Sequence, residues 1–542
     1  MGVDGRTPRW GTARALLITV ALLAGACTDG DDEPARTTTT TTRPGDEVVE
    51  GGRVRLALGA PVQPDPTLAS SGSPAELMVL DLLHDGLTRM GADGTVRPAL
   101  ARAWHHDGTT WTFELDPAAT FASGAPVTNA TVVASLERLA KAGPRSLAAL
   151  RLETVAGFDD FVSGATPNLA GLVAAADGTV QISLVGPVAS LPAILASPEL
   201  GIVDGASLQA ATTAGDLSGL DLSGSWAVDE STAGTLALRR RAERPGHLDG
   251  IDLQAFDDPA AAYQAFKDGD VDWALVPAAD HDDAVDAYGD DHFAPYQAEI
   301  FLGLRVAAPA LTSPDMRVAI AAAIDREAIV EEVYGDRADP LATIVPAGVP
   351  GRNQAACGAE ACRFDPAVAK QALARAFPDG AIPTVHLDFD ESPTQRQLAE
   401  LVAAELGAVG IPTELRAKPR QEYETFIASG AQELFSFGWI GGYAAPAAYL
   451  VPLFASLADD NLTGVASPDV DAALAAAWAT DDQAISTERW GAAEALLLSQ
   501  AIVIPVAQFR TQAVVADRVH DLAHAVDGSV DWARVWVEDG AG

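Results

Sequence analysis

The stretch from Leu83 to Gly143 limits the possible folds more than any other part of this 542-residue chain. It carries three units in a row, each with its own physical signature. Asp93-Gly94 is a turn signal between Leu87-Thr88-Arg89 and Val96-Arg97-Pro98. Trp111, Phe113 and Leu115 alternate with Thr112 and Glu114, the period of a strand with one buried face. Val132, Val133, Leu136, Leu139 and Ala140 then share one face of a helix, which Thr128 can cap and Gly143-Pro144 stops.

The same alternation recurs along the chain. Arg53 to Gly59 reads as a strand, and Pro61-Val62-Gln63-Pro64-Asp65-Pro66 as an extended loop without ladder donors. The loop Ser70-Ser71-Gly72-Ser73 enters a helix through Pro74, whose locked backbone suits the first helical position. Ser313-Pro314 opens another helix, and Asp325 caps the one that follows it and stops at Gly335. Ser392-Pro393 opens a third, carrying Leu398, Val402, Leu406 and Val409 on one face and ending at Gly410. Strand alternating with helix predicts a mixed α/β class, and the length predicts two or three domains. There is no internal repeat and no coiled-coil heptad.

At the amino end, Arg6, Arg9 and Arg14 precede the apolar run Ala15–Ala26, which is too short to span a bilayer. Small residues and Cys27 follow, the pattern of a secretory signal. Residues 28–52 are acidic and polar, with an unbroken threonine run Thr37–Thr42, and read as a tether. In an oxidising compartment Cys357 and Cys362 are expected to close one short loop as a disulfide, which removes little chain entropy.

Charge and motifs narrow the function. There are 35 Lys and Arg against 75 Asp and Glu, a formal net charge of −40. That argues against nucleic acid or anionic lipid headgroups as partners, because the phosphate interaction would be repulsive. No G-x-S-x-G, H-E-x-x-H or P-loop sequence occurs, so an enzyme is not expected, nor a cofactor. His520 and His524 have zinc-like spacing, but Asp521 stands where a catalytic Glu would follow the first histidine; no metal is expected.

The order and spacing of these segments resemble the family 5 extracellular solute-binding proteins of ABC importers, of the oligopeptide and dipeptide type. The resemblance rests on Asp85-Gly86-Leu87, Pro98-Ala99-Leu100-Ala101, Trp111-Thr112-Phe113-Glu114-Leu115, Gly124-Ala125-Pro126-Val127-Thr128 and Ser135-Leu136-Glu137-Arg138. Further on, Leu248-Asp249-Gly250-Ile251, Asp315-Met316-Arg317-Val318 and Ala323-Ile324-Asp325-Arg326-Glu327 match in order, while Gly224-Ser225-Trp226 is a degraded form of the family's GTGPY segment. Together they cover roughly Arg53 to Val537. The resemblance implies a two-lobed, periplasmic-binding-protein type II-like α/β fold with an extra third subdomain. Its parts would be a signal peptide 1–26, a lipidated tether 27–52, and a first lobe in 53–82, 200–303 and 505–542. A subdomain 83–199 would be inserted in that lobe, and a second lobe would run 304–504. Leu23-Ala24-Gly25-Ala26-Cys27 resembles a bacterial lipobox in which Cys27 is diacylated, although the preferred leucine sits one place early.

The implied function is capture of oligopeptides or a related small solute by hinge closure, outside the cytoplasm, by a monomer held at the outer face of the cell membrane only through its lipid. Delivery would be to permease and ATPase subunits supplied by other chains. The alternative is a surface lipoprotein on the same fold that acts as a regulatory or assembly module. The expected ligand contacts centre on Phe437-Gly438-Trp439-Ile440-Gly441-Gly442-Tyr443, the counterpart of the family's GW-x-x-DY motif. Trp439 and Tyr443 offer stiff apolar area with a polar tip. Gly441 and Gly442 would let main-chain donors approach the solute, and Ser71 and Ser73 are counted as contacts beside them. In peptide-binding members the motif's aspartate neutralises the ligand's α-ammonium; here that place is Gly442, and the place of the motif's second acid is Ala445. An ammonium buried without a counter-charge is penalised by several kcal/mol. Either another acid supplies the charge, or the solute is not a free-amine peptide.

Overall fold

The computed structural model describes residues 48–538, except 70–72, 92–93, 144–145, 233, 359–361 and 481. The leader, Cys27, most of the tether and Ser71 lie outside the described residues. The described chain divides into two compact units. One is continuous, Pro295–Arg510; the other is assembled from residues up to Ala294 and from Thr511 onward.

The discontinuous unit is organised on β1 (Arg53–Leu58), whose last three residues are all buried. A strand covered on both faces reads as a nearly continuous apolar run and suits parallel pairing. Helix α1 (Pro74–Leu83) packs Met78 and Leu82 into the core that β1 shares. Next come β2 (Ala101–Asp107) and β3 (Thr110–Leu115), a hairpin on the four-stranded sheet of the region 83–199. Trp111 and Phe113 of β3 face inward, as their alternation requires. Helix α2 (Asn129–Ala140) follows, with Thr128 Oγ1 accepting from Thr131 N at 3.2 Å. Strands β4 (Leu172–Ala174) and β5 (Val180–Ser183) complete that sheet in the order β2-β3-β5-β4.

The main sheet of this unit adds β6 (Trp226–Ser231), β7 (Thr235–Arg240), β8 (Gly250–Ala255) and β9 (Trp273–Leu275). Its order is Ala513–Val515, β9, β1, β8, β7, β6, with β1 parallel to both neighbours. The final segment of the chain therefore returns to lie beside β9.

The continuous unit begins with β10 (Pro295–Leu304), buried along nearly its whole length. Helix α3 (Pro314–Ala323) is capped by Ser313, and β11 (Ala338–Pro340) follows. Cys357 and Cys362 are joined as a disulfide with Cα atoms 5.7 Å apart. Then come β12 (Val385–Asp390), α4 (Pro393–Val409) and β13 (Thr413–Lys418). Gly410 ends α4 at φ +94°, a backbone conformation open to glycine at little cost. Strand β14 (Leu434–Ile440), helices α5 (Ala447–Phe454) and α6 (Gln483–Ser499), and β15 (Val503–Arg510) complete the unit. The sheet order is β11-β15-β10-β14-β12-β13. One face carries the core: Ile300, Leu302 and Leu304 meet Met316 and Ile320 of α3 and Leu398, Val402 and Leu406 of α4. The unit extends past 304–504 at both ends because β10 and β15 stay paired out to Pro295 and Arg510.

Asp325 caps the short helix after α3 by accepting from Ala328 N at 3.2 Å, and Arg326 donates to Pro505 O at 2.7 Å. Both therefore hold backbone in place. In the other unit His524 Nε2 accepts from the Trp273 indole at 3.1 Å while His524 Nδ1 meets Gly528 O at 3.2 Å. His520 instead meets Glu538 at 3.1 Å, so the two histidines turn to different partners.

Asp272, 1 % exposed, binds Arg55 and Arg518 together. Burial alone would raise its pKa; the hydrogen bonds from Arg518 and Arg55 overcome this and hold it below the usual carboxylate range. A depressed folded pKa stabilises above the ordinary range and is lost as pH falls through it. Asp272→Asn should therefore cost about 3 kcal/mol near neutral pH, because it leaves two guanidinium groups without their carboxylate. The loss should shrink on acidification, as read by thermal unfolding at several pH values.

Candidate functional site

The predicted contacts Trp439, Gly441, Gly442 and Tyr443 come from one segment, the end of β14 and the turn into α5. Trp439 is half-buried; its indole N–H donates to Ala448 O at 2.9 Å, and its ring lies 6.2 Å from that of Phe437. These contacts fix the ring while part of it stays exposed. Gly442 and Tyr443 are half-buried beside it.

Gly441 has a different role from the one expected of it. Its N–H donates to Gln297 O at 2.8 Å, so it is not available to a solute. A Cβ at this position would stand 2.2 Å from Tyr449 Oη, which itself donates to Gln297 O at 3.1 Å. The glycine is required by the tyrosine. Ser73 belongs to the other unit, where its hydroxyl accepts from Glu76 N at 3.3 Å and starts α1.

The structure adds residues that the sequence reading missed. Glu299 of β10 is the register partner of Trp439 on one side and of Gln508 on the other. Directly opposed residues of antiparallel strands share a face, so Trp439, Glu299 and Gln508 form a row across the sheet. This is the face away from the α3–α4 core. Gln508 is already engaged, donating to Tyr296 O at 3.0 Å and Ala347 O at 2.9 Å. Glu299 is 1 % exposed, and neither carboxylate oxygen has a hydrogen-bond partner. Gln297, two residues earlier and on the same face of β10, leaves Oε1 unpaired as well. A signal was present: Gln297 and Glu299 are the polar residues of an otherwise apolar strand, at the spacing that puts both on one side.

Glu494 of α6 lies close enough to Glu299 for its charge to act on it. Its Oε1 accepts from Ile344 N at 2.5 Å and Val345 N at 2.9 Å, whereas Oε2 has no partner. Burial pushes Glu494 up to about 7, and burial followed by the charge of Glu494 pushes Glu299 well above the usual range. Arg352 is the neighbouring cation, but it donates to Val345 O and Thr343 Oγ1, each at 3.0 Å. Further along the same face, Phe301, Phe435, Phe437 and Leu453 line a void of about 10 Å³, room for one water at most.

Two outcomes follow. Gly441→Ala should destabilise the protein by roughly 1–3 kcal/mol, read as a lower Tm, since the neighbouring ring must move. Glu494 has a raised folded pKa, so its stabilising contribution is complete below the ordinary carboxylate range and is lost as pH rises through about 7. Glu494→Gln keeps an acceptor for Ile344 and Val345. It should match the parent near pH 5 and exceed it by about 3 kcal/mol at higher pH, measured by denaturant unfolding.

Comparison with known proteins shows the family and the fold. The model of the bacterial extracellular solute-binding proteins, family 5 Middle, matches residues 95–461. The dipeptide-binding protein DppE of Bacillus subtilis is 24 % identical over 476 residues, covering 84 % of this chain and 87 % of that protein. The periplasmic oligopeptide-binding protein OppA of Escherichia coli is 24 % identical over 521 residues, covering 91 % and 93 %. Among solved structures, the periplasmic murein tripeptide-binding protein MppA in its unliganded open form superposes with a TM-score of 0.80 at 20 % identity, covering 90 % of this chain and 98 % of that one. The fold is thus the two-lobed periplasmic-binding-protein type II fold. With more than half of its length matched, the chain belongs to the family 5 extracellular solute-binding proteins.

Proposed function

We propose that this protein is the extracytoplasmic capture component of an ABC importer, taking up peptides or a related small solute. It closes on the solute and presents the closed form to a membrane permease, whose ATPase subunits drive import. Differential affinity of the solute for the closed state supplies the shift between forms. The family match over residues 95–461 carries this reading, and the names of the relatives, dipeptide- and oligopeptide-binding, favour peptides as the solute class. In this reading the chain catalyses nothing. Residues 1–26 are removed, Cys27 is diacylated, and residues up to about 52 tether the body to the outer face of the membrane. A second acyl chain matters, because a single one holds only marginally. Among the described residues no helix is long and apolar enough to cross a membrane.

Trp439 is the favoured contact. Its half-buried ring offers aromatic area, and its indole N–H is anchored to Ala448, so little ordering is required on binding. Native mass spectrometry of the mature chain, purified without denaturation, should show excess masses in the peptide range. Adding the identified solute at 100 times its Kd should stabilise the protein by about 2.7 kcal/mol in thermal shift. Trp439→Ala should weaken that binding by about 2 kcal/mol, roughly thirtyfold in Kd. Neither bound mass nor thermal shift from any small-solute pool would turn the assignment to the regulatory or assembly module.

A further inference from the structure

The segment between β11 and the helix Pro366–Ala376 is a strap laid along one side of α6. It leaves the sheet with Leu341 N donating to Val506 O at 2.9 Å, and Ala347 then exchanges two hydrogen bonds with the Gln508 side chain. Three contacts seat it on α6. Ile344 and Val345 donate to Glu494, and the Asn353 side chain occupies the space that a Cβ on Gly491 would need, 2.2 Å from Nδ2. A Cβ on Gly351 would stand 3.8 Å from Thr487 Oγ1 and 3.4 Å from the Pro446 ring, so the strap's backbone lies close to both. Residues 487, 491 and 494 are spaced as one stripe of a helix, which is why a single extended segment can follow them.

A covalent link closes the far end of the strap. Cys357 and Cys362 are joined with Cα atoms 5.7 Å apart, whereas five residues of freed chain reach about 17 Å. Cys362 is buried and stands three residues before Asp365, whose N–H donates to Ala322 O of α3 at 2.8 Å, so that side is a fixed post. Cys357 is half-buried, and the short helical turn before it, Gln354–Ala356, packs against α6. Closing so short a loop does little for global stability, so the bond acts where it sits. What it holds in place is the strap's contact with Pro446. Pro446 opens α5, and Ala448 O in the first turn of α5 receives the Trp439 indole at 2.9 Å.

We infer that the Cys357–Cys362 disulfide is a redox-sensitive pin, which holds the strap against Pro446 and so keeps the Trp439 segment stiff. Its bearing on solute affinity rests on the capture reading above; the pin itself does not. A dithiol reductant supplies the chemistry. One of its thiolates attacks Sγ of Cys357, the more exposed residue of the pair, while Cys362 leaves as a thiolate and takes a proton. The second thiol of the reductant then displaces Cys357 from the mixed disulfide. The reductant ends as a disulfide and the protein holds two thiols.

The test compares the full chain before and after dithiothreitol, with free thiols counted by alkylation and mass spectrometry. In hydrogen exchange, the amides of 351–357 and 441–450 should exchange about tenfold faster in the reduced form, while β10, α3 and α4 keep their rates. Reoxidation should restore the protection. Cys357→Ser combined with Cys362→Ser should match the reduced parent, with a thermal melt to show that it is folded. A bond that resists dithiothreitol under native conditions, or a change in exchange confined to 357–362, overturns the pin. A synthetic tripeptide pool is then titrated in calorimetry against both forms. The oxidised form should bind it roughly three- to tenfold more tightly, because a preordered segment loses less on binding. Equal binding by the two forms overturns the pin's role in capture. No binding by either form, with the exchange result as expected, upholds the pin and counts against peptide capture alone.

Discussion

Three stretches that are remote in sequence, already paired in one sheet, converge on a single carboxylate. Asp272 accepts from the main-chain N–H of Arg55 at 2.8 Å and from the guanidinium groups of Arg55 and Arg518. Arg518 in turn reaches Arg53 O at 2.9 Å. The first strand of the body, the strand after residue 270 and the last segment of the chain are thereby tied at one point. The point of contact lies in the main sheet of the discontinuous unit, to which the four-stranded sheet of residues 101–183 also belongs as a separate sheet. With Asp272 fully desolvated and both arginines about two-thirds covered, the pairings lie where solvent screening is weaker than at the surface.

Local chemistry was readable from the sequence, and non-local chemistry was not. Thr128, Ser313 and Ser392 each cap a helix, because a hydroxyl just ahead of a helical pattern acts over three residues. Trp111 and Phe113 face inward because a strand's period is two. Family resemblance then supplied the fold, which no local pattern encodes. The strand order β11-β15-β10-β14-β12-β13 joins segments two hundred residues apart, and nothing in any one segment announces its neighbour. Gly441 shows the limit most clearly. Its neighbourhood suggests a donor for a solute, whereas its reason is the ring of Tyr449 and the carbonyl of Gln297.

The two acids of the continuous unit escaped notice for a related reason. In a chain with 75 acidic residues, no single one stands out by type. Glu299 is distinguished only by its setting, a strand buried along its length, with register partners that are aromatic on one side and an already engaged amide on the other. A consistent sequence would place an apolar residue there. The local conflict is concentrated beside Trp439, one of the two aromatics that the motif resemblance had marked, which is where departures from packing rules carry functional information.

The interrupted path of the chain has a consequence for synthesis. Pro295–Arg510 is complete as soon as its last residue is made, with every strand of its sheet available. The flanking unit must wait for Val514 to pair with Ala274 and for Arg518 to reach Asp272. A chain emerging from its amino end is therefore expected to fold from the inside outward, the first-made part closing last. A polypeptide interrupted just after Arg510, before Ala513–Val515 is made, would keep one sound unit and one with an open sheet edge, the kind of surface that pairs with other chains.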